Sequence, residues 1–376
     1  MTEPTAASSS GLEGVVAAHT AISDVDGERG RLVIAGVDVE QLATTGSFAH
    51  AAARVLAAGG ADVDGGGLPA AEGRRGLIDA AALPAALGAA RVAAFATLGQ
   101  LGDAIAAPNA MDALRSALAH LRSGGDDLGD AIAAIGAAPV FVAAWHRTRT
   151  GQAPIAPDRS LDHATDYLRM TIGTTPTRDA ARALDAYLVT VIDHGMNAST
   201  FTARVVTSTA SDLISAVVAA VGALKGPLHG GAPGPVLDML DAVGSPERAE
   251  AWLLGELAAG HRIMGMGHRV YRVRDPRAAV LETAVRGLAG DRLALARGVE
   301  AAAAKILRER KPDRPLAANV EFYTAVLLDA VGITREQFSA TFAVGRIAGW
   351  SAHVIEQRRV GKLIRPASTY VGPMPT

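Results

Sequence analysis

Apolar residues recur at helical spacing over most of the chain. In the stretch beginning at Arg178, Leu184, Tyr187, Leu188 and Val191 fall at i, i+3, i+4 and i+7 and share one helix face. That pattern stops near Asp193-His194-Gly195, where Gly195 suits the left-handed position that closes a helix. Leu213, Ile214, Val217, Val218 and Val221 form a second such face. Residues 225–235 then hold four Gly and three Pro, an interruption that marks a candidate domain boundary. Further helices are predicted over 247–259, ended by Gly260, and over 293–310. Thr334 and Gln337 make a capping box ahead of a long helix over 335–358. Two β-rich runs, 15–23 and 31–37, flank the polar segment 24–30 and predict a hairpin with a long turn. Residues 51–100 are rich in Ala and Gly, with Gly65-Gly66-Gly67 as a loop. The fold class is therefore all-α with a minor N-terminal β-hairpin.

Composition narrows the function. A length of 376 residues suggests about two domains. A chain of that size buries roughly three quarters of its unfolded surface and needs no metal or disulfide to stay folded. The absence of cysteine excludes a disulfide scaffold, Cys-ligated zinc, an iron–sulfur cluster and a thiol nucleophile. Lys and Arg number 36 against 38 Asp and Glu, so the net charge of −2 gives no global reason to bind nucleic acid or an anionic membrane. The first ten residues lack the basic-then-apolar order of a signal peptide. The longest apolar stretches are broken by charges, Gly or His before the roughly 18 residues that a membrane span needs. The expectation is a soluble, cytoplasmic protein.

Three of the ten histidines sit at breaks in the pattern. His194 lies at a helix end, His229 in Gly226-Pro227-Leu228-His229-Gly230-Gly231, and His268 in Gly265-Met266-Gly267-His268. Loops that present a His are where acid–base groups tend to be placed, although a single loop His more often caps a helix or faces water. Metal binding is not expected. No histidine pair has the spacing of a helical zinc motif, and His261 and His268 are separated by a glycine-rich break. Arg269, Arg272, Arg274 and Arg277 follow His268, and such a cluster suits forked recognition of phosphate or carboxylate, or else forms a solvated basic face. Arg346 lies between Phe342 and Trp350, four residues to either side, on a face that looks buried. A buried Arg must meet a carboxylate from the protein or from a ligand. Asn319 is a good N-cap and puts Glu321 at the second helical position, where the helix dipole favours the carboxylate form. On pattern alone Glu321 merely stabilises the helix start.

Taken together and in order, these segments resemble the citrate synthase family. The segments are His194-Gly195-Met196-Asn197-Ala198-Ser199-Thr200-Phe201-Thr202-Ala203-Arg204, the His229 loop, Gly265-Met266-Gly267-His268-Arg269-Val270-Tyr271-Arg272 with Asp275-Pro276-Arg277, and Asn319-Val320-Glu321-Phe322-Tyr323. Arg346, Arg365-Pro366, the hairpin segment 11–42 and Met111-Asp112-Ala113-Leu114-Arg115 fit as well, so the likeness covers nearly the whole chain.

The resemblance implies an all-α homodimer with a large domain (1–229 and 333–376), a small inserted domain (230–332) and a cleft that closes on oxaloacetate. It implies citrate synthesis from acetyl-CoA and oxaloacetate, with no permanently bound cofactor. The alternatives are 2-methylcitrate synthesis from propionyl-CoA, or a non-catalytic paralogue that binds oxaloacetate or acyl-CoA. Carried over by motif, Glu321 is the base, His229 the donor to the enol oxygen and His268 the group that polarises the keto oxygen. His194, Asn197, Arg277, Arg346 and, from the other subunit, Arg365 contact oxaloacetate. Ser199 orients His229, and Arg272 meets a CoA phosphate, with Lys311 and Arg314 as further basic candidates. Glu321 departs from the Asp that most citrate synthases carry, and a subgroup with Asn-Val-Glu-Phe is the nearer likeness. Ile34-Ala35-Gly36 also departs from the Tyr-Arg-Gly frequent in relatives.

Overall fold

Three short antiparallel strands open the chain and helices follow, in a computed structural model that describes residues 12, 14–60, 80–229, 233–268, 270–288, 292–310 and 316–375. Strand β1 (Ser23–Asp26) pairs with β2 (Arg31–Ile34), placing Ser23 opposite Ile34, and β2 pairs with β3 (Val37–Asp38). The hairpin is present, but its first strand begins only at the last residue of the expected run and continues into the segment expected as the turn. Asp24 and Asp26 disguise it, because acidic residues are depleted in strands. The turn shrinks to residues 27–30, with Gly30 in the left-handed region (φ 64°).

The helices are α1 (Val39–Thr45), α2 (Phe48–Gly59), α3 (Leu83–Ala96), α4 (Ala110–Leu118), α5 (Asp127–Arg149), α6 (His163–Ile172), α7 (Arg178–Thr190) and α8 (Ala198–Ser208). They continue with α9 (Leu213–Leu224), α10 (Pro233–Val243), α11 (Ala249–Ala258), α12 (Pro276–Val285), α13 (Arg292–Arg310), α14 (Val320–Ala330) and α15 (Phe338–Val360). Many begin at a polar side chain that takes an orphan backbone N–H: Asp126, Asp162, Thr177, Asn197, Asp275 and Asn319 all do this. The capping box of Thr334 and Gln337 forms ahead of α15 as expected. Gly65-Gly66-Gly67, Lys311 and Arg314 lie outside the described residues.

The core gathers around α5 and α15, which pack on each other; α15 also packs on α2, α8 and α9, and α5 on α3, α4 and α9. Helix α5 is long and apolar enough to cross a membrane, contrary to the reading that every apolar stretch is broken early. Its apolar window is 78% buried inside the protein, and a helix surrounded by others is apolar all round. Helix α7 ends at Thr190, short of Gly195. The four consecutive β-branched residues Val189 to Ile192 disfavour its continuation, and the chain then turns toward α15. Gly349 permits that approach. A Cβ there would lie 2.1 Å from the Ile192 carbonyl oxygen and 2.9 Å from Asp193 Oδ1, so any larger residue would push the 191–197 loop away.

Candidate active site

The His268 loop and the start of α14 are zipped together. Gly265 and Gly267 both adopt left-handed conformations (φ 72° and 87°), which glycine alone takes up freely. Gly267 N–H donates to the Ala317 carbonyl (2.7 Å), Asn319 N–H to the Gly265 carbonyl (2.9 Å), and Asn319 Nδ2 to the Gly267 carbonyl (2.8 Å). Asn319 Oδ1 then accepts the Glu321 N–H (3.0 Å), as its N-cap role predicts. One asparagine therefore fixes both the His268 loop and the backbone of Glu321.

His268 Nδ1 accepts the backbone N–H groups of Val270 (3.0 Å) and Tyr271 (3.2 Å), so the ring proton resides on Nε2. Burial, with help from Arg277, lowers the His268 pKa to about 4, and the ring is a neutral donor at pH 7. His194 packs against it with ring centroids 5.4 Å apart, and His194 Nε2 lies 3.1 Å from the Tyr271 hydroxyl. Burial beside Arg277 and Arg346 holds His194 well below its usual pKa.

Asp275 locks Arg277 in place. Its Oδ1 accepts Arg277 Nε–H (3.0 Å), its Oδ2 accepts Nη2–H (2.8 Å), and Oδ2 also takes the Val320 N–H (3.1 Å). Arg346 is only 1% exposed. Its Nε donates to the Val191 carbonyl, and its guanidinium carbon lies 4.6 Å from the Phe342 ring centroid. No carboxylate among the described residues pairs with it. Burial pulls its pKa down to about 10, against the opposing influence of Asp193.

Glu321 corrects one expectation. The helix dipole alone favours its ionised form. Instead burial, outweighing Arg277 and Arg346, raises its pKa to about 7. The native carboxyl thus keeps its proton up to about pH 7, whereas an unfolded Glu loses it near pH 4.3. Between those values the folded state binds more protons, so this group makes stability fall as pH rises. Glu321→Gln should therefore melt at a higher temperature than the unsubstituted protein at pH 8, with the gap closing toward pH 4–5. Calorimetric scans across that range check this, and a pH-independent gap would contradict it.

His229 Nε2 lies 2.8 Å from Ser199 Oγ and 3.4 Å from the Ser199 backbone nitrogen. Ser199 Oγ also accepts Trp350 Nε1–H (3.1 Å) and lies 2.8 Å from Asn197 Oδ1. Asn197 caps α8 through the Thr200 N–H (3.1 Å). The resemblance singled out Ser199 beside His229, and the two are in contact. Arg272 is exposed, with its backbone N–H on the Gly27 carbonyl (2.9 Å). Arg274 is drawn away into ion pairs with Glu282 and Glu300. Arg365 is exposed on the segment after α15 and makes none of these contacts within its own chain.

Several participants carried no role in the sequence reading. Asp275 had a signal, since Asp before Pro at a helix start is an N-cap pattern. Tyr271, Trp350 and Asp193 had none, because their partners come from distant segments. Tyr187, counted there as one of an apolar face, buries a hydroxyl with no hydrogen-bond partner among the described residues.

Residues 11–367 match the family described as "Citrate synthase, C-terminal domain". The chain belongs to the citrate synthase family. It is 36% identical over 376 residues to the citrate synthase of Deinococcus radiodurans, covering 96% of this chain and 95% of that one. The crystal structure of citrate synthase from Thermotoga maritima superposes with a TM-score of 0.81 at 33% identity, over 97% of this chain and 96% of that one. The citrate synthase of Thermoplasma acidophilum, solved as a ternary complex with carboxymethyl coenzyme A and oxaloacetate, is 25% identical with a TM-score of 0.82 and covers 97% of this chain and 96% of its own. The protein therefore has the all-α citrate synthase fold and is an acyltransferase of that family.

Proposed function

We propose that this protein is a citrate synthase, condensing acetyl-CoA with oxaloacetate and hydrolysing citryl-CoA to citrate and CoA, the step that admits acetyl units to the tricarboxylic acid cycle. The observation that carries the reading is Arg346, a buried guanidinium with no carboxylate partner among the described residues, set with Arg277, His194, His268 and Glu321. A buried cation of this kind calls for an anionic ligand. Two forked guanidinium groups suit a dicarboxylate. The Thermoplasma relative, solved with oxaloacetate and a CoA compound, supports the same substrates.

Oxaloacetate lies between Arg277 and Arg346, beside His194 and Asn197, and Arg365 of the partner subunit completes its site in a homodimer. Domains 1–229 with 333–376, and 230–332, close over it and exclude water. His268 Nε2–H polarises the keto oxygen. His229 is held at Nε2 by Ser199, and its imidazole donates to the thioester oxygen of acetyl-CoA. Glu321 removes a methyl proton, and the resulting enol attacks the keto carbon. The new alkoxide takes its proton from the His268 side. Water then cleaves the thioester, releasing CoA and citrate. Arg272, which is exposed, meets a CoA phosphate on this reading, with Lys311 and Arg314 as further basic candidates. The enzyme is cytoplasmic.

Thiol release from acetyl-CoA and propionyl-CoA, each with oxaloacetate, tests this reading. Acetyl-CoA should be preferred by about tenfold or more, since one methylene in a fitted pocket is worth about 1–3 kcal/mol. Faster propionyl-CoA turnover would make the protein a 2-methylcitrate synthase, and no release from either would make it a binding paralogue. Mixing Arg365→Ala subunits with His268→Ala subunits should restore activity in heterodimers, because one of the two sites regains both groups. No recovery in verified heterodimers would contradict a shared site.

A further inference from the structure

Behind the 191–197 loop runs a line of buried polar groups that the chemistry above does not use. Asp193 is fully buried immediately before His194. Its Oδ1 faces His353 Nε2 on α15 (3.2 Å). Its Oδ2 accepts from the Ser23 hydroxyl on β1 and from the Gly195 N–H (3.0 Å). Gly195 N–H also reaches Ser23 Oγ (2.9 Å), and Gly195 is left-handed (φ 60°). The 193–195 turn is thus held from α15 on one side and from the N-terminal sheet on the other.

His353 is itself oriented. Arg204 Nη1–H donates to His353 Nδ1 (2.9 Å), which leaves the ring proton on Nε2, aimed at Asp193. Arg204 is anchored by Glu356 and by Gln357 Oε1 (3.0 Å). From Arg204 to Asp193 every side chain in this relay is buried. Buried ionic groups seldom add stability over a well-packed apolar set. Their effect here is geometric, because the turn they hold carries His194 and Asn197, and Asn197 reaches Ser199 beside His229.

We propose that His353 is a positioning residue for the oxaloacetate pocket, acting through Asp193 and seconded by Ser23. The inference rests on the reading that His194 and Asn197 hold oxaloacetate. Loss of the His353–Asp193 contact lets the turn relax, and small misplacements of binding groups are costly.

The test is steady-state kinetics of the purified full-length protein with melting temperature measured alongside. His353→Leu should raise the KM for oxaloacetate about tenfold or more while the KM for acetyl-CoA stays within about threefold. His353→Gln keeps an N–H that can reach Asp193 and should recover most of the loss. Ser23→Ala removes the other support from a partly exposed position, so it should fold and raise the oxaloacetate KM about threefold. A merely structural role would lower the melting temperature and leave that KM unchanged in the folded enzyme. If His353→Leu fails to fold, Ser23→Ala decides, and an unchanged oxaloacetate KM overturns the proposal. His194→Ala runs beside them: if it too leaves the oxaloacetate KM unchanged, the reading of the site itself has failed.

Discussion

Glu321→Gln should lower turnover by about a hundredfold or more while oxaloacetate binding survives. The substitution keeps the size of the side chain and removes its basicity, and loss of a general base costs on the order of 10²–10⁴ in rate. Burial raises this carboxyl to a pKa of about 7, close to the value that balances availability of the base against its strength. Glu321→Asp is the sharper comparison. The shorter side chain withdraws the carboxylate by about 1.5 Å, one carbon–carbon bond. A displacement of about 1 Å can cost a hundredfold. The backbone is not free to follow, because Asn319 ties the start of α14 to the His268 loop. Activity should therefore fall with Asp, and a marked gain would mean that the pocket is shaped for Asp. Thiol-release rates of the three proteins at saturating substrates decide between these outcomes.

Arg346→Met should raise the KM for oxaloacetate by about a hundredfold, since removing one partner of a buried charge contact costs about 2–5 kcal/mol. The unliganded protein should be as stable as before or more so. Arg346 is buried without a carboxylate among the described residues, and replacing such a charge by an apolar side chain of similar length removes a desolvation cost. Arg277→Met should behave differently. It strands Asp275, which is 1% exposed, and breaking a buried pair costs about 3–5 kcal/mol of stability. Melting temperatures measured with the kinetics separate the two arginines. Equal destabilisation by both would mean that Arg346 also has a counter-charge within the protein.

How much of this was legible depends on range. The apolar face of Leu184, Tyr187, Leu188 and Val191 is buried as its spacing predicts, because helical periodicity is local. The Asn319 cap and the Thr334–Gln337 box formed as read, since both lie within a few residues of their partners. His194, His268, Arg277, Arg346 and Glu321, drawn from four separate segments, lie within electrostatic reach of one another. Several of the differences are non-local. The path of the 193–195 turn after α7 depends on what Asp193 meets in α15, 160 residues later. The ionisation of Glu321 follows from burial by its neighbours, which overrides the local helix dipole. Strand β1 was hidden because its identity comes from pairing with β2 rather than from its own composition.

In the proposed mechanism, arginines bind oxaloacetate and a glutamate performs the chemistry. Calorimetric titration of oxaloacetate into the unsubstituted protein and into Glu321→Gln measures that division directly. The dissociation constants should agree within about threefold although turnover differs a hundredfold or more. A loss of oxaloacetate affinity in Glu321→Gln as large as its loss of turnover would contradict the account and make Glu321 part of the binding site rather than the base.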